Sequence, residues 1–278
     1  MKKFANAKVN LALNVTGINE KGYHDLDMIM APVSLGDIVE IVPSCTDHVE
    51  FAGMDVPENN TVTKALEVMH DTFPHISNYS VRIEKRVPEQ AGLAGGSADA
   101  AAVIDAIDQM AGLALSMERK IGLGVLVGAD VPFCLVNETA RVQGIGEKIR
   151  PLGTDWSFPV LLVKPKQGVS TPQAFRKWDE GCRTQLDVDR VEQAIRDQDM
   201  EALKAAMVNA LEEPAKQLVP EIEEAIGKMR QAGISRVMMT GSGSALMGFD
   251  KLDVLKKAAE RLHDEFAFVQ IVQAGSGG

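Results

Sequence analysis

Hydrophobic and polar positions along the chain follow two periods, one typical of strands and one of helices. Residues 37–43 and 80–85 alternate apolar and polar side chains, which predicts half-buried strands. Residues 63–73 repeat apolar side chains every three or four positions, which predicts a helix with one buried face. The same reasoning predicts further helices at 97–110, 116–127, 187–196, 199–213, 220–231 and 251–265, and further strands at 159–163, 235–240, 244–249 and 267–272.

The order of these elements favours an α+β fold over a doubly wound sheet. Strands that look antiparallel are mixed with helices, and no regular βαβ alternation appears. Residues 143–158 are rich in Gly, Pro and charged residues and show little periodicity. A boundary there predicts two domains of ordinary size, residues 1–155 and 156–274. Residues 275–278, Gly-Ser-Gly-Gly, are predicted to form a flexible tail.

Length and charge narrow the classes of protein that fit this pattern. The chain has 278 residues, 45% of them hydrophobic, and a formal net charge of −10. Such a length allows a well-packed core. The acidic balance argues against nucleic acid as a partner, because phosphate neutralisation requires clustered Lys and Arg. No apolar run approaches the ~20 residues that span a bilayer, and no apolar signal region follows Met1. We therefore expect a cytoplasmic protein without a membrane partner.

Cysteine and histidine do not indicate a metal site or a disulfide framework. Cys45, Cys134 and Cys182 are odd in number and far apart, and the 5 histidines match no metal-binding spacing. Few cysteines are typical of a reducing compartment. The sequence therefore predicts no fixed metal site in the protein.

A glycine-rich loop, residues 88–101, is the most informative segment. Its sequence is Pro-Glu-Gln-Ala-Gly-Leu-Ala-Gly-Gly-Ser-Ala-Asp-Ala-Ala, between a predicted strand and a predicted helix. Glycines allow a tight turn that presents several backbone N–H groups, and the start of a helix adds positive potential. Both features suit a phosphate chain, although a tight turn before a closely packed helix would give the same pattern. The loop is neither a Walker A motif nor a dinucleotide fingerprint.

Three motifs, in order along the chain, resemble those of the GHMP kinases, the superfamily of galactokinase, homoserine, mevalonate and phosphomevalonate kinases. The glycine-rich loop resembles their ATP-binding loop. Residues 5–11, Ala-Asn-Ala-Lys-Val-Asn-Leu, resemble the first family motif, and residues 239–244, Met-Thr-Gly-Ser-Gly-Ser, resemble the third. The resemblance covers residues 5–273. It implies an N-terminal domain like ribosomal protein S5 domain 2 and a ferredoxin-like C-terminal domain, in a monomer or weak homodimer.

The resemblance also implies Mg²⁺-ATP as phosphoryl donor and an alcohol on a small molecule as acceptor. The residues that it assigns to the phosphates of ATP are Pro88, Gly92, Leu93, Ala94, Gly95, Gly96, Ser97 and Ala98, with a C-terminal glycine loop of Gly241, Ser242 and Gly243. The family block Gly-Ala-Asp-Val-Pro at 128–132 makes Asp130 the catalytic base, and Lys8 its charge partner. Asn10 is expected to contact the acceptor hydroxyl or this pair, and Asn209 to be mainly structural.

One further block resembles a branch of the superfamily whose substrate is a cytidine diphosphate-linked methylerythritol of non-mevalonate isoprenoid synthesis. The block is Gly22-Tyr23-His24, and Phe175 matches a second aromatic position of that branch. The resemblance implies that these aromatic side chains hold the cytosine, and an aromatic face is suited to stacking on a base. An ordinary loop would also accommodate Tyr and His. The implied reaction is phosphorylation of the substrate's 2-hydroxyl group.

The chain departs from the family pattern at Asn6, Ala98, Ile145, Thr240 and Ser244. None of these departures removes a residue assigned to catalysis or to the cytosine. Ala98, however, lacks a hydroxyl that a serine would offer to phosphate or magnesium. Two alternatives stay open. One is another GHMP kinase, acting on homoserine or a mevalonate derivative, which has no need of aromatic base-binding residues. The other is a nucleotide- or metabolite-binding homologue with weak catalysis.

Overall fold

The structure, a computed structural model, describes residues 1–20, 22–58, 60–181 and 185–275. Its strands are β1 (Lys2–Ile18), β2 (His24–Ser44), β3 (His48–Phe51), β4 (Asn78–Glu84), β5 (Ala140–Gly144), β6 (Lys148–Pro151), β7 (Phe158–Lys164), β8 (Val208–Asn209), β9 (Arg236–Met239), β10 (Leu246–Phe249) and β11 (Phe268–Ala274). Its helices are α1 (Thr61–Thr72), α2 (Gly95–Ala111), α3 (Met117–Val127), α4 (Val131–Val136), α5 (Thr171–Asp179), α6 (Asp189–Arg196), α7 (Met200–Ala206), α8 (Glu212–Leu218), α9 (Glu221–Gln231) and α10 (Leu252–Leu262). The predicted α+β class is confirmed.

A long antiparallel hairpin organises the N-terminal half. β1 pairs with β2 along its whole length, and the turn between them leads directly into His24. The pairing register shifts just before Lys8 and just after Asn10. Such bulges redirect side chains and are common beside active sites. Because side chains two positions apart share one face of a strand, Lys8 and Asn10 point to the same side of β1.

One continuous sheet joins the two halves of the chain. Its strand order is β3-β4-β2-β11-β7-β10-β9, with β1 and β5 also paired to β2. The last strand, β11, meets β2 where Ala274 lies opposite Val33. A buried apolar cluster likewise draws on β1 and β2 together with β7, β10, α6 and α7. The sheet and this core therefore cross residue 155, and the division into two domains there stays a prediction.

Helices cover the sheet in two groups. α1, α2 and α3 pack on β2 and β4 around buried residues such as Leu66, Ile83 and Ile104. α9 and α10 pack on β7, β9 and β10 around residues such as Ile226 and Leu255. Within the described residues, no helix combines the length and the apolar character that crossing a membrane requires.

Most of the predicted elements are confirmed, with ends displaced by a few residues, but the helix predicted at 199–213 is wrong. The chain there forms α7, the short strand β8 and α8. β8 pairs with β1, where Asn209 lies opposite Leu13. This contact is remote in sequence and interrupts a segment whose local pattern favours one helix. The pattern also failed to predict β1, the first half of β2, β3, β5, β6, α4 and α5.

The predicted tail begins one residue too early. Gly275 is buried; its N–H donates a hydrogen bond to Pro32 O over 3.0 Å, and its carbonyl accepts one from Thr139 over 3.0 Å. Gly275 is therefore part of the packed structure, because these bonds close the end of β11 against the N-terminal half. The rest of the predicted tail, residues 276–278, lies outside the described residues, as does Cys182.

Candidate active site

A cavity of 490 Å³ opens beside the hairpin, between the glycine-rich loop and the C-terminal glycine loop. Many of the residues assigned from the motifs line it: Lys8, Asn10, Pro88, Gly92, Leu93, Ala94, Gly95, Gly96, Asp130, Phe175, Gly241, Ser242 and Gly243. A second cavity of 360 Å³ contains Tyr23 and His24 in its wall. Phe175 lines both cavities, so the two adjoin.

Lys8 is a buried cation in the first cavity, with only 3% of its surface exposed. Its Nζ lies 2.7 Å from Asn10 Oδ1, 3.0 Å from Gly92 O and 3.8 Å from Asp130 Oδ2. The first two contacts are hydrogen bonds that orient the ammonium group, and the third is a longer ionic contact. A buried charge requires such partners. Asn10 thus contacts the lysine of the predicted catalytic pair.

Asp130 stands at the start of α4 with its carboxylate available to the cavity. It is the N-cap residue of that helix, yet its side chain makes no capping hydrogen bond, and 37% of the side chain is exposed. One turn further on, Cys134 N–H donates to Asp130 O over 3.1 Å. Burial, with a smaller contribution from the Asp130 charge, raises the pKa of the Cys134 thiol. This thiol therefore stays neutral.

The glycine-rich loop connects β4 to α2 and approaches the C-terminal glycine loop closely. Gly92 has φ 73°, and a Cβ atom on it would lie 2.4 Å from Thr240 O. Glycine is required here because a side chain would collide with the backbone of the other loop. α2 then begins at Gly95, after Ala94 in the left-handed conformation. The positive end of this helix therefore faces the cavity through Gly95 and Gly96.

Ser97 and Ala98, also assigned to the phosphates, are not among the residues that line either cavity. Ala98 is 2% exposed and packs in the core beneath α2. Its N–H donates to Ala94 O over 2.9 Å within the first helical turn. The structure therefore gives Ala98 a packing role, because both its methyl group and its N–H are already engaged.

Hydrogen bonds hold the two glycine loops together. Ser244 N–H donates to Gln90 O and Ala245 N–H to Ala91 O, both over 3.1 Å. Asn209 Nδ2 donates to the carbonyl oxygens of Met239 over 2.8 Å and Gly241 over 2.9 Å. These bonds give Asn209 the structural role expected of it. Thr240, which replaces a family serine, keeps the hydroxyl function, because its Oγ1 accepts the N–H of Asn10 over 2.8 Å.

A buried ionic cluster beside the glycine-rich loop was not predicted. Lys85 Nζ bonds to Asp37 and, over 2.8 Å, to Asp99 Oδ2. Asp37 also accepts the N–H groups of Arg86 over 2.5 Å and Val87 over 2.8 Å, which fixes the start of the loop. Both carboxylates are fully buried. Asp99 could be singled out only as part of the loop motif; nothing in the sequence connects it with Asp37.

Burial and the neighbouring charges act in opposite directions on the pKa values of this cluster. Burial raises the pKa of Asp99 to about 7, although the Lys85 charge opposes the shift. Burial acts to lower the pKa of Lys85, but the carboxylates of Asp99 and Asp37 outweigh it and raise that pKa. Among the residues that the structure describes, none hydrogen-bonds to Asp99 Oδ1. The cluster therefore keeps a protonated lysine in the cavity wall, where Lys85 and Asp99 both take part in the lining.

The hairpin turn presents Tyr23 and His24 to α5. Asn19 N–H donates to Tyr23 O over 2.8 Å, and this bond closes the turn. The imidazole of His24 stacks on the ring of Phe175, with centroids 4.6 Å apart and planes inclined by 27°. Trp178 meets the same imidazole edge-on at 5.8 Å. Tyr23 is 60% exposed beside this group. The structure thus brings His24 and Phe175 into contact and leaves Tyr23 at the rim.

Asp179, which the sequence did not single out, completes this arrangement. Its Oδ1 lies 3.0 Å from His24 Nε2. Asp179 ends α5, the helix that also carries Phe175 and Trp178. Residues three and four positions apart share one face of a helix, so α5 presents all three side chains to the imidazole. In the sequence, the charged residues around 179 look like an ordinary solvated helix end. They carry no signal that predicts the contact with His24.

Comparison with known proteins identifies the family. The GHMP kinases N-terminal domain matches residues 60–138, and the GHMP kinases C-terminal domain matches residues 191–267. A 4-diphosphocytidyl-2-C-methyl-D-erythritol kinase of Carboxydothermus hydrogenoformans is 36% identical over 92% of this chain and 90% of its own length. That of Thermoanaerobacter pseudethanolicus is 36% identical over 97% of this chain and 95% of its own length.

Solved structures agree with this identification. A crystal structure of 4-(cytidine 5′-diphospho)-2C-methyl-D-erythritol kinase superposes with a TM-score of 0.83 at 33% identity and covers 100% of both chains. Mevalonate kinase of L. major in complex with R-mevalonate superposes with a TM-score of 0.73 at 14% identity, over 100% of this chain and 97% of its own. At this low identity the similarity shows only a common fold. These similarities confirm the predicted fold and an ATP-dependent small-molecule kinase. The chain belongs to the GHMP kinases and, within them, to the family of 4-diphosphocytidyl-2-C-methyl-D-erythritol kinases.

Proposed function

We propose that this chain works in the cytoplasm and transfers the γ-phosphate of ATP to the 2-hydroxyl group of 4-diphosphocytidyl-2-C-methyl-D-erythritol, in the synthesis of isoprenoid precursors. The observation that carries the proposal is the junction of the two cavities. Leu26, Ala129, Ile145 and Phe175 line both of them. A substrate with a base at one end and an alcohol at the other fits this layout, with the base beside His24 and the alcohol beside the buried lysine.

Asp130 is the proposed base. The acceptor is a tertiary alcohol and a poor acid, so it benefits from a carboxylate that takes its proton as the oxygen attacks the γ-phosphorus. The new P–O bond forms as the bond to the ADP oxygen breaks. Lys8, whose Nζ lies 3.8 Å from Asp130 Oδ2, offsets negative charge on the transferred phosphoryl group. The hydrogen bonds from Lys8 Nζ to Asn10 and Gly92 hold the ammonium group in place for this task.

We assign the phosphates of ATP to the glycine-rich loop and the start of α2. The backbone from Gly92 to Gly96 borders the cavity there, and the helix dipole favours a bound anion. Ala94 and Gly92 adopt left-handed backbone conformations that curl the loop around this space. Phosphoryl transfer depends chiefly on positioning and charge neutralisation, and this backbone adds to the neutralisation that Lys8 provides.

Magnesium fits this site as part of the ATP complex. The described residues hold no cluster of three or more His, Cys, Asp or Glu side chains able to bind a metal ion. Mg²⁺ usually keeps several waters and binds through substrate phosphates together with one or two carboxylates. We therefore propose that ATP phosphates and water hold the ion, rather than a fixed protein site. Bound there, Mg²⁺ supplies additional charge neutralisation to the phosphates.

The cytosine is proposed to lie against the aromatic group at the hairpin turn. One face of Phe175 is already occupied by the His24 imidazole, so the base would rest on a remaining aromatic face within the second cavity. Tyr23 is exposed at the rim and can pack over the base. Such packing is favourable because aromatic rings gain from an offset stack. This geometry differs from a simple sandwich between Tyr23 and Phe175, since His24 takes part through its ring.

The test is ADP release from Mg²⁺-ATP in the presence of 4-diphosphocytidyl-2-C-methyl-D-erythritol. We expect turnover by the unaltered chain and a fall in kcat of about 10²–10⁴-fold for Asp130→Asn, because the amide cannot accept the proton. Asp71→Asn, an exposed aspartate on α1, removes the same charge away from the site and should leave kcat within about twofold.

The outcomes separate the alternatives. Turnover with homoserine or mevalonate but not with the cytidyl substrate would contradict the proposed substrate and favour another GHMP kinase. ATP binding without turnover of any alcohol would indicate a catalytically weak homologue. Full activity of Asp130→Asn would leave the substrate in place but refute Asp130 as the base.

A further inference from the structure

We propose that Asp179 is a positioning residue that fixes the tautomer and orientation of the His24 ring, so that the site selects cytosine over uracil. This inference rests on the proposed function, because it concerns the base of the same substrate. It starts from a contact that the sequence did not predict, the 3.0 Å distance between His24 Nε2 and Asp179 Oδ1.

Three side chains of α5 restrain the imidazole. Phe175 stacks on its face, Trp178 touches it edge-on and Asp179 engages Nε2. Trp178 is 6% exposed and belongs to the C-terminal core, so it provides a rigid wall. The start of the helix is also tied to the phosphate side of the site, since Thr171 Oγ1 lies 2.7 Å from Ser242 Oγ in the C-terminal glycine loop. The His24 ring is therefore held by an element that borders both cavities.

The carboxylate determines which ring nitrogen carries the proton. An ionised carboxylate offers only acceptor oxygens, so the contact with Asp179 requires a hydrogen on His24 Nε2. In the neutral ring, Nδ1 is then an acceptor. Within the described part of the chain, Nδ1 has no hydrogen-bond partner, and His24 lines the second cavity. A carboxylate that fixes a histidine tautomer through the other ring nitrogen is a recurrent arrangement at metal and catalytic sites.

An acceptor at this place distinguishes the two pyrimidine bases. Cytosine carries a 4-amino group, which donates hydrogen bonds, whereas uracil carries a carbonyl oxygen at the same position, which accepts them. Nδ1 as an acceptor would pair with the amino group and oppose the carbonyl oxygen. A site in which two hydrogen-bond acceptors face each other, with no hydrogen between them, discriminates strongly against the ligand that brings the second acceptor. If the ring were free to exchange its proton between nitrogens, both bases would find a partner and this selectivity would be lost.

The experiment compares the unaltered chain with Asp179→Ala, Asp179→Asn and Glu180→Ala. Glu180 is the matched control, because it is the next residue, carries the same charge and pairs with Lys177 on the surface. KM and kcat are measured for the cytidyl substrate and for ATP. CDP and UDP are then tested as competitors of the cytidyl substrate. A second measurement records the ring nitrogen signals of ¹⁵N-histidine-labelled protein at about pH 8.5, where an unperturbed imidazole is neutral; the His24→Ala spectrum assigns the His24 signals.

We expect Asp179→Ala to raise KM for the cytidyl substrate about tenfold, with kcat and KM for ATP within about twofold. The unaltered chain should bind CDP at least about tenfold more tightly than UDP, and Asp179→Ala should bring this ratio close to one. Asp179→Asn keeps an acceptor oxygen and should recover most of the selectivity. The His24 signals should show the Nε2-protonated form in the unaltered chain and a mixture in Asp179→Ala. In a His24→Ala background, Asp179→Ala should cause no further change in KM for the cytidyl substrate or in the ratio of CDP to UDP binding.

Several results would overturn the inference alone. These are turnover of the cytidyl substrate with no preference for CDP over UDP, an unchanged ratio in Asp179→Ala, unchanged His24 signals, or an effect of Asp179→Ala that persists without His24. Absence of turnover of the cytidyl substrate by the unaltered chain would instead refute the proposed function, and the inference with it.

Discussion

Asp99 has a carboxylate with no exposure to solvent, and within the described part of the chain only one of its two oxygens is hydrogen-bonded. Lys85 partly compensates for this burial, yet the pKa of Asp99 is raised to about 7. The pKa of an aspartate in an unfolded chain is about 3.9. The folded state therefore binds a proton at Asp99 more tightly than the unfolded state does, and the stability contributed by this group falls as the pH rises from about 4 to about 7.

Replacing Asp99 with Asn should remove this dependence. We expect the free energy of unfolding of Asp99→Asn, relative to the unaltered chain, to increase between about pH 4.5 and about pH 7.5, by at most about 1.4 kcal/mol for each pH unit. Urea denaturation at several pH values measures the difference. Asp155→Asn, which alters an exposed residue, serves as control and should show no such trend. Parallel curves for Asp99→Asn and the unaltered chain would show that Asp99 ionises normally in the folded protein.

The two glycine loops depend on each other for their conformation. The N-terminal loop turns at Gly92, where a Cβ atom would lie 2.4 Å from Thr240 O of the C-terminal loop. Both loops also contribute to the cavity assigned to ATP. Because backbone atoms cannot yield as the end of a flexible side chain can, a methyl group at Gly92 must separate the loops.

Gly92→Ala should therefore damage both stability and nucleotide binding. We expect a loss of about 1–3 kcal/mol in the free energy of unfolding, from the positive φ and the collision, and a rise of at least about tenfold in KM for ATP. Thermal unfolding and initial-rate kinetics test this. The control is Gly122→Ala, on the exposed side of α3, where a Cβ atom would meet nothing within 4 Å. That change should stabilise the protein by about 0.5–1 kcal/mol. Equal effects of the two substitutions would contradict the steric argument.

An ionic network connects the hairpin half of the protein to the C-terminal half. Arg141 on β5 forms a two-fold contact with Asp27 on β2, at 2.8 and 2.6 Å, and a third bond to Asp189, which begins α6. Glu192 on α6 accepts from Arg141 over 3.1 Å and from Arg150 over 2.6 Å. These bonds cross the region where the sequence predicted a domain boundary.

Glu192 should make this connection sensitive to acid. The Arg150 guanidinium, together with Arg196 and Arg141, lowers the pKa of Glu192 from 4.5 to about 2. The folded state therefore releases this proton more readily than the unfolded state, so the stabilisation is complete above about pH 4.5 and is lost as the pH falls through about 2.

We expect Glu192→Gln to lower the free energy of unfolding by about 1–3 kcal/mol at pH 7, because bonds to charged groups are lost. The difference should shrink steadily as the pH approaches about 2. Urea denaturation near pH 2 and at pH 7 measures the difference in free energy of unfolding at both ends of this range. Glu201→Gln is the control, since Glu201 is 82% exposed in its pair with Lys204 and such pairs contribute less than about 1 kcal/mol. A difference for Glu192→Gln that does not change with pH would contradict the predicted role of its charge.

The elements that the sequence predicted well are those with one buried face. β4 and α1 show a clear period because only one side of each meets the core. β1 was missed because residues 5–15 are buried on both faces, so apolar and small side chains follow one another without alternation. α5 was missed as well, although it carries Phe175, Trp178 and Asp179. The missed elements supply Lys8, Asn10 and most of the contacts of His24.

The amino-acid sequence was enough to predict the α+β class, the family and many, though not most, of the residues that line the two cavities. It could do so because motifs such as the glycine-rich loop depend on local backbone freedom and on residue type, which are visible one segment at a time. Three contacts became visible only in the folded chain: Lys8 bonds to Gly92, Asp37 and Asp99 share Lys85, and Asp179 engages His24. Each of these contacts joins segments far apart in the chain, and their burial, distances and pKa shifts arise only when folding brings the segments together.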